Sequence, residues 1–219
     1  MSALLATSSS TKTNLPSELN IIDTSLSLSV NSLVIMSPTI YGLGTGLFNN
    51  LSIQLISYIR TILGHGHGVV VGPGSGVWDH VHIADLCSLY SLILLDILDP
   101  SSHGSKLPTG KKGIIFSANG RATWEDVAQG VADACVAEGR IKDAQVEHVS
   151  MERGIEIFSG YLGERVSPEH LELGLSSNSR TVASVARGLG WKPSSGEEAW
   201  RKGFGDDVRE VLEREKRVE

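Results

Sequence analysis

The feature of this sequence that most restricts its fold is the scarcity of charge in its first hundred residues. These residues hold two basic and six acidic side chains, whereas the remaining 119 carry 17 and 19. So little charge is typical of strands covered on both faces, as in a parallel sheet flanked by helices. The sequence therefore predicts an α/β protein in which other elements cover this segment.

Apolar runs and turn residues predict strands that alternate with helices. The predicted strands are residues 33–36, 69–71, 77–83, 113–117 and 146–149. The predicted helices are residues 19–30, 48–63, 85–98, 124–138, 152–162 and 180–189, with a further helix after Ser195. Thr123 and Asp126 have the spacing of a capping box at the start of the helix 124–138. This order of elements is that of an α/β fold.

Composition excludes several classes of partner. The net charge of −6 offers no basic surface for nucleic acid or anionic lipid. No apolar run approaches the roughly 18 residues of a membrane span, so we expect no membrane partner. Cys87 and Cys135 are too few for a disulfide framework, which favours a reducing, cytoplasmic location. Both thiols are expected to be small buried hydrophobes, and the Ser/Thr-rich residues 1–18 are predicted to be disordered.

The glycine-rich stretch Gly42–Gly46 lies between a predicted strand and a predicted helix, where a dinucleotide-binding turn would lie. Residue 47 is leucine where the third glycine of that motif would be, and no acidic residue lies between Asp23 and Asp79 to hold a ribose. The stretch is therefore predicted to be a flexible turn.

Two histidine pairs have the i, i+2 spacing that places both rings on one face of a strand. No third ligand stands at an evident spacing from either pair, so no metal site is predicted. His65 and His67 are expected in a glycine-rich surface loop, and His80 and His82 on a packed or hydrogen-bonded strand face.

The tryptophans divide into two groups. Trp124, Trp191 and Trp200 stand at helix starts or in a turn and are predicted to be packing anchors. Trp78 directly follows the glycine-rich run 72–76, so we expect an exposed indole beside a mobile loop.

Four segments together carry a resemblance to a known family. They are residues 32–49 (SLVIMSPTIYGLGTGLFN), 69–90 (VVVGPGSGVWDHVHIADLCSLY), 113–120 (GIIFSANG) and 187–193 (RGLGWKP). In this order the chain resembles the later half of an extended short-chain dehydrogenase/reductase, the NAD-dependent epimerase/dehydratase family, and in particular its fungal members.

The resemblance implies an incomplete, Rossmann-like remnant of a parallel sheet with a smaller α/β substrate-side domain. Residues 19–120 would be the remnant of the NAD(P)-binding domain, with substrate-loop insertions. Residues 121–219 would be a mainly helical substrate-side region. NAD or NADP is the implied cofactor and a small molecule the implied substrate.

The family's catalytic Tyr-x-x-x-Lys pair is missing from this chain. The residues four positions after the tyrosines are Thr45, Ile62, Leu94 and Arg165. Without the tyrosine acid/base and its lysine, hydride transfer has no proton partner, so no catalytic residue is assigned. The implied reading is a truncated oxidoreductase or epimerase, inactive alone, that binds the cofactor weakly. The alternative is a non-catalytic regulatory or protein-binding short form, and a separate Rossmann half or a second copy of the chain could complete the fold.

Matching the family position by position assigns binding residues. The positions that approach the nicotinamide are Pro38, Thr39 and Ile40. The positions assigned to the substrate pocket are Phe48, Asn49, Trp78 and His80. Trp78 occupies the place where nucleotide-sugar members carry a phosphate-binding arginine, and an indole cannot make that charged contact. We therefore expect a substrate without a diphosphate, apolar or aromatic in character. Asp85 is expected to cap the helix that follows.

Overall fold

The computed structural model describes residues 15–102, 104–163 and 165–218. The helices in these ranges are α1 (Leu15–Ser27), α2 (Ile53–His65), α3 (Ile83–Leu98), α4 (Trp124–Ala137), α5 (Met151–Leu162), α6 (Pro168–Leu175), α7 (Ser184–Gly188) and α8 (Glu197–Val218), with a 3₁₀ turn at Gly110–Lys112. The strands are β1 (Val34–Met36), β2 (Thr39–Tyr41), β3 (Gly68–Val71), β4 (Val77–His82), β5 (Ile114–Phe116), β6 (Gly120–Thr123) and β7 (Val146–Val149).

These strands form three small sheets. Strand β1 pairs with β5, and β3 with β7, both in parallel. Strand β4 lies between β2, which is parallel to it, and β6, which is antiparallel. Parallel strands connected through helices confirm the predicted α/β class.

Two hydrophobic clusters form the core. The larger packs α2, α4, α5 and α8 around β3 and β7. The smaller packs α3 and α7 against β4 and β5. Each cluster draws on residues from both sides of position 120, and the division of the chain at that position stays a prediction.

Several predicted boundaries differ from the structure. Helix α2 begins at Ile53 rather than at residue 48, because the Ser52 hydroxyl accepts from the Leu55 backbone N–H and caps the helix. The apolar Leu47 and Phe48 before it are 96% and 93% exposed. The predicted helix 180–189 is reduced to α7, while α6, β2 and β6 have no counterpart in the predicted elements.

Two further predictions concern the start of the chain and the two cysteines. Residues 1–14 lie outside the described residues, and residues 15–18 belong to α1. Cys135 is buried as predicted, but Cys87 is exposed, so that prediction is wrong. Its helix buries the neighbouring Leu86 and Leu89 instead. None of the described helices is long and apolar enough to cross a membrane.

Candidate functional site

Three of the residues assigned to binding line one small cavity. Thr39 lies on β2 opposite His80 of β4, and Trp78 precedes His80 by two positions, which puts both rings on one strand face. Further lining side chains include Gln54, Trp124 and Trp200. The cavity measures about 10 Å³, room for about one water molecule.

Four aromatic rings, those of Trp78, His80, Trp124 and Trp200, line this cavity. The His80 imidazole stacks on Trp200 with centroids 3.9 Å apart and planes 6° from parallel. Tyr41 meets His80 edge-on at 5.3 Å, and the Trp78 ring lies 5.5 Å from that of Trp124. Burial lowers the pKa of His80 to about 4, against an opposing effect of Asp79, so the ring is neutral at physiological pH.

Two polar atoms of the lining residues are buried without a hydrogen-bond partner among the described residues. They are the indole Nε1 of Trp78 and the Nε2 of His80. Leaving such an atom unpaired costs about 1–3 kcal/mol, so a water or ligand atom that pairs with it is favoured. Trp78 is half-buried against the larger cluster rather than exposed, so the prediction of an exposed indole is wrong.

The other predicted anchors are confirmed. Trp124, Trp191 and Trp200 are all buried. The Trp191 indole N–H also donates to the Asp85 carbonyl over 2.8 Å, which ties the turn before α8 to α3.

Thr39 is fixed by a hydrogen-bond chain. Its hydroxyl donates to Oε1 of Gln54, whose Nε2 donates to the Gly174 carbonyl over 2.7 Å. The chain joins β2, α2 and α6 around the cavity. Pro38 and Ile40 are half-buried beside Thr39 but do not line the cavity, and their contact with a cofactor stays a prediction.

Phe48 and Asn49 lie apart from the cavity. The Phe48 ring is almost fully exposed. The Asn49 amide donates to the Leu51 carbonyl over 3.1 Å, within its own turn. The structure does not bring these two residues to Trp78 and His80, and their place in a substrate site stays a prediction.

Two buried carboxylates organise the surroundings of the site, and the sequence did not predict their partners. Asp79 accepts from Arg121 Nε over 2.6 Å and from the backbone and hydroxyl of Thr181. Burial alone would raise the pKa of Asp85, but hydrogen bonds from Ser194 and Ser195 lower it below its usual value. Asp85 therefore anchors the turn before α8 instead of capping α3, whose N-cap is His82.

The predicted packing of the second histidine pair is confirmed. His82 Nδ1 accepts from the Ala84 backbone N–H over 3.2 Å, and its ring meets Tyr41 edge-on at 5.0 Å. Together with the buried His80, it makes β4 a packed strand face.

The glycine stretch does not fit the pyrophosphate of a dinucleotide. Gly42 has φ +87° and no room for a side chain against the His82 ring. The next helix begins only at Ile53, and its N-terminus is already capped by Ser52. A pyrophosphate site of the dinucleotide type needs backbone N–H groups at a helix start directly after the glycines. Residues 42–53 do not supply that arrangement.

The chain is similar to several known proteins in sequence or in fold. No family model matches the chain. An oxidase from Acremonium sp., Oxidase ucsJ, is 25% identical over 169 residues, which are 75% of this chain and 46% of that protein.

Among solved structures, UDP-N-acetylglucosamine 4-epimerase from Methanobrevibacter ruminantium matches with TM-score 0.56 and 13% identity, over 98% of this chain and 59% of that one. The dTDP-glucose 4,6-dehydratase from Streptomyces venezuelae, solved with NAD, matches with TM-score 0.54 and 17% identity, over 91% and 49%. The predicted resemblance is thus confirmed at the level of fold, which is that of the NAD-dependent epimerases and dehydratases. The chain spans about half the length of the proteins it matches.

Proposed function

We propose that this chain forms the substrate side of an NAD(P)-dependent oxidoreductase or epimerase that acts on a small apolar or aromatic molecule. The observation that supports this most is the shared cavity of Thr39, Trp78 and His80, whose lining includes no lysine or arginine. The lining combines aromatic rings with two unpaired polar atoms, which favours an apolar ligand that offers one or two hydrogen-bonding groups. Because the cavity measures only about 10 Å³, such a ligand would bind with displacement of the lining side chains. A diphosphate would be favoured by cationic donors, which the lining does not supply.

We further propose that the chain does not turn over a substrate by itself. It contains no Tyr-x-x-x-Lys sequence, and residues 42–53 offer no pyrophosphate site. The cofactor, NAD or NADP, would then be held mainly by a Rossmann half outside these residues; the matched dehydratase was solved with NAD. A cytoplasmic location, favoured by the scarcity of cysteine, belongs to the same proposal.

Calorimetric titration tests both parts. Small aromatic ketones should bind the purified chain, and UDP-glucose should not. Trp78→Ala should weaken ketone binding at least about tenfold, which corresponds to 1.4 kcal/mol, whereas Tyr90→Ala at the exposed face of α3 should leave it unchanged. Preferential binding of UDP-glucose would contradict the substrate class. Micromolar binding of NAD(H) or NADP(H) with turnover of a carbonyl compound would contradict the inactivity.

A protein-binding role is the second candidate, and exposed apolar side chains favour it. On α3 these are Tyr90, Leu94, Leu95, Ile97 and Leu98. Leu26 and Leu28 near the end of α1 are exposed as well. Several exposed apolar side chains on one helix are typical of an interface, whether with a separate Rossmann half or with a second copy.

Light scattering after size exclusion tests the second copy. A self-associating chain should become monomeric in Leu95→Glu, and Val182→Glu, at another exposed apolar position, should not change its mass. A monomeric wild-type chain would leave co-expression with a Rossmann half as the deciding experiment, since that partner should then restore cofactor binding.

A further inference from the structure

The two histidines of the Gly64–Gly68 segment meet a carboxylate from a distant strand. His65 is the last residue of α2, and His67 immediately precedes β3. Strand β3 pairs in parallel with β7, in a register that places Val69 opposite Glu147. The pairing thus brings Glu147 beside both imidazoles, across 80 residues of sequence.

The three side chains point their ligand atoms at one another. The Nε2 atoms of His65 and His67 lie 3.2 and 3.1 Å from Oε2 of Glu147. All three ligand atoms lie within 4.8 Å of one another. In a tetrahedral zinc site with bonds of about 2.0–2.2 Å, ligand atoms are about 3.3–3.6 Å apart. Small side-chain rotations would therefore admit an ion among them.

The backbone of this segment is set by glycines and is not a loose loop. Gly66 ends α2 in the left-handed conformation, with φ +93°, and its N–H donates to the Ile62 carbonyl. Gly68 begins β3 so close to β7 that a Cβ would lie 2.8 Å from the Val146 side chain. The two histidines are thus held at fixed places on either side of one residue, which reduces the entropy lost when a ligand orders them.

The exposure of the cluster suits a ligand that enters from solvent. The His65, His67 and Glu147 side chains are 14%, 35% and 43% exposed. A set of two imidazoles and one carboxylate leaves coordination positions open to water or an external ligand.

We propose that His65, His67 and Glu147 bind one divalent first-row transition ion, with Zn²⁺ as the principal candidate. Both imidazoles would bind through Nε2, and the ion would tie the end of α2 to β7. Imidazole ligands favour zinc and its neighbours over Mg²⁺ or Ca²⁺, which take oxygen ligands. The site is separate from the Trp78–His80 cavity and does not rest on the proposed function.

Calorimetry with ZnCl₂ on the metal-free chain, and absorption spectroscopy with CoCl₂, test the site. One Zn²⁺ per chain should bind in the micromolar range, and Co²⁺ should give the visible bands of a low-coordinate site. His67→Gln and Glu147→Gln should each weaken binding at least about tenfold, since loss even of an outer-shell partner weakens metal sites 10- to 100-fold. His170→Gln, at an exposed histidine of α6, should bind as the wild type does.

Circular dichroism of the metal-free variants establishes that they are folded. The proposal is overturned if the wild type binds no Zn²⁺ at 1:1 below about 100 μM. It is equally overturned if the folded His67→Gln and Glu147→Gln variants retain wild-type affinity. The cluster would then be a hydrogen-bonded group only.

Discussion

The chain contains the pattern His-x-His twice, and the two copies lie in opposite surroundings. His65 and His67 are partly exposed and share a carboxylate from β7. His80 is buried against Trp200, and His82 is packed on Tyr41. Each pair also has a nearby acid, Glu147 for the first and Asp79 for the second.

The difference shows that spacing alone does not define the chemistry of a histidine pair. The same i, i+2 pattern gives a polar cluster where a helix ends near a strand, and an aromatic wall where it lies within a strand covered by α8. Solvent keeps the first pair available to ions, whereas desolvation keeps His80 neutral. The two regions should therefore respond differently to substitution, pH and metal.

The largest expected effect is on the aromatic wall. Trp200→Ala removes the ring that stacks on His80 and contacts Tyr41 and Phe204. It should lower the free energy of unfolding by about 3–5 kcal/mol, as for other buried tryptophans. Urea denaturation measures this, with the exposed neighbour Arg201→Ala as control. A loss below about 1 kcal/mol would mean that the wall is not a rigid packed unit.

The second-largest effect on the free energy of unfolding is expected from Asp79, the acid next to His80. Asp79 is 1% exposed, and its loss leaves the Arg121 Nε and the Thr181 N–H without their acceptor. Asp79→Ala should lower the free energy of unfolding by about 3 kcal/mol, because a buried, hydrogen-bonded charge partner is removed. Urea denaturation again gives the value. If Asp79→Ala and Glu147→Ala lowered the free energy of unfolding equally and only slightly, the two histidine pairs would not differ in how strongly their acids stabilise the fold.

Acid should destabilise the surroundings of His80 specifically. The pKa of His80 is lowered to about 4 in the folded chain, from about 6.5 unfolded. The contribution of neutral His80 to the free energy of unfolding is therefore complete above about pH 6.5. It is lost as the pH falls towards 4, because the unfolded chain binds the extra proton. The change should be about 2–3 kcal/mol, measured as the wild type minus His80→Phe between pH 7 and 4.5.

The difference between the wild type and His80→Phe is needed because a second buried group, Asp207, also titrates near this pH range. Burial raises the pKa of Asp207 to about 7, so its contribution is present below about pH 4 and is lost as the pH rises towards 7. In the wild type, the free energy of unfolding therefore rises with pH through His80 and falls with pH through Asp207. A His80→Phe profile identical to that of the wild type would contradict the assignment of this pH dependence to His80.

The smallest effect is expected at the exposed pair. Without metal, Glu147→Gln should change the free energy of unfolding by less than about 1 kcal/mol, because the Glu147 side chain that makes these hydrogen bonds is 43% exposed. Thermal denaturation in EDTA measures this, and a larger loss would show that the hydrogen bonds alone hold α2 to β7. Added Zn²⁺ should stabilise the wild type and not the variant.

The sequence predicted the elements whose causes are local. The capping box of Thr123 and Asp126 is present, with the hydroxyl 3.0 Å from the Asp126 N–H and the carboxylate 2.9 Å from the Thr123 N–H. The strands around residues 34–36 and 69–71 follow from short β-branched runs. Helix α6 was missed because its eight residues alternate apolar and charged side chains too briefly to show a period.

The partners of the site residues could not be predicted in the same way. Asp85 was expected to cap its own helix, but it accepts from residues 194 and 195, more than a hundred positions later. Trp78 was expected to be exposed because it follows a glycine run, but Trp124 lies against it. In both cases the sequence did not show which distant segment packs against the residue.

The sequence by itself determined the α/β order of elements, the capping box at the start of α4 and the lack of a Tyr-x-x-x-Lys pair. Each of these depends on residues within a few positions of one another. Only the tertiary structure decided that Glu147 joins His65 and His67, and that Trp200 covers His80. Those contacts depend on strand register and helix packing, through which burial and charge act between residues that the sequence keeps 80 or more positions apart.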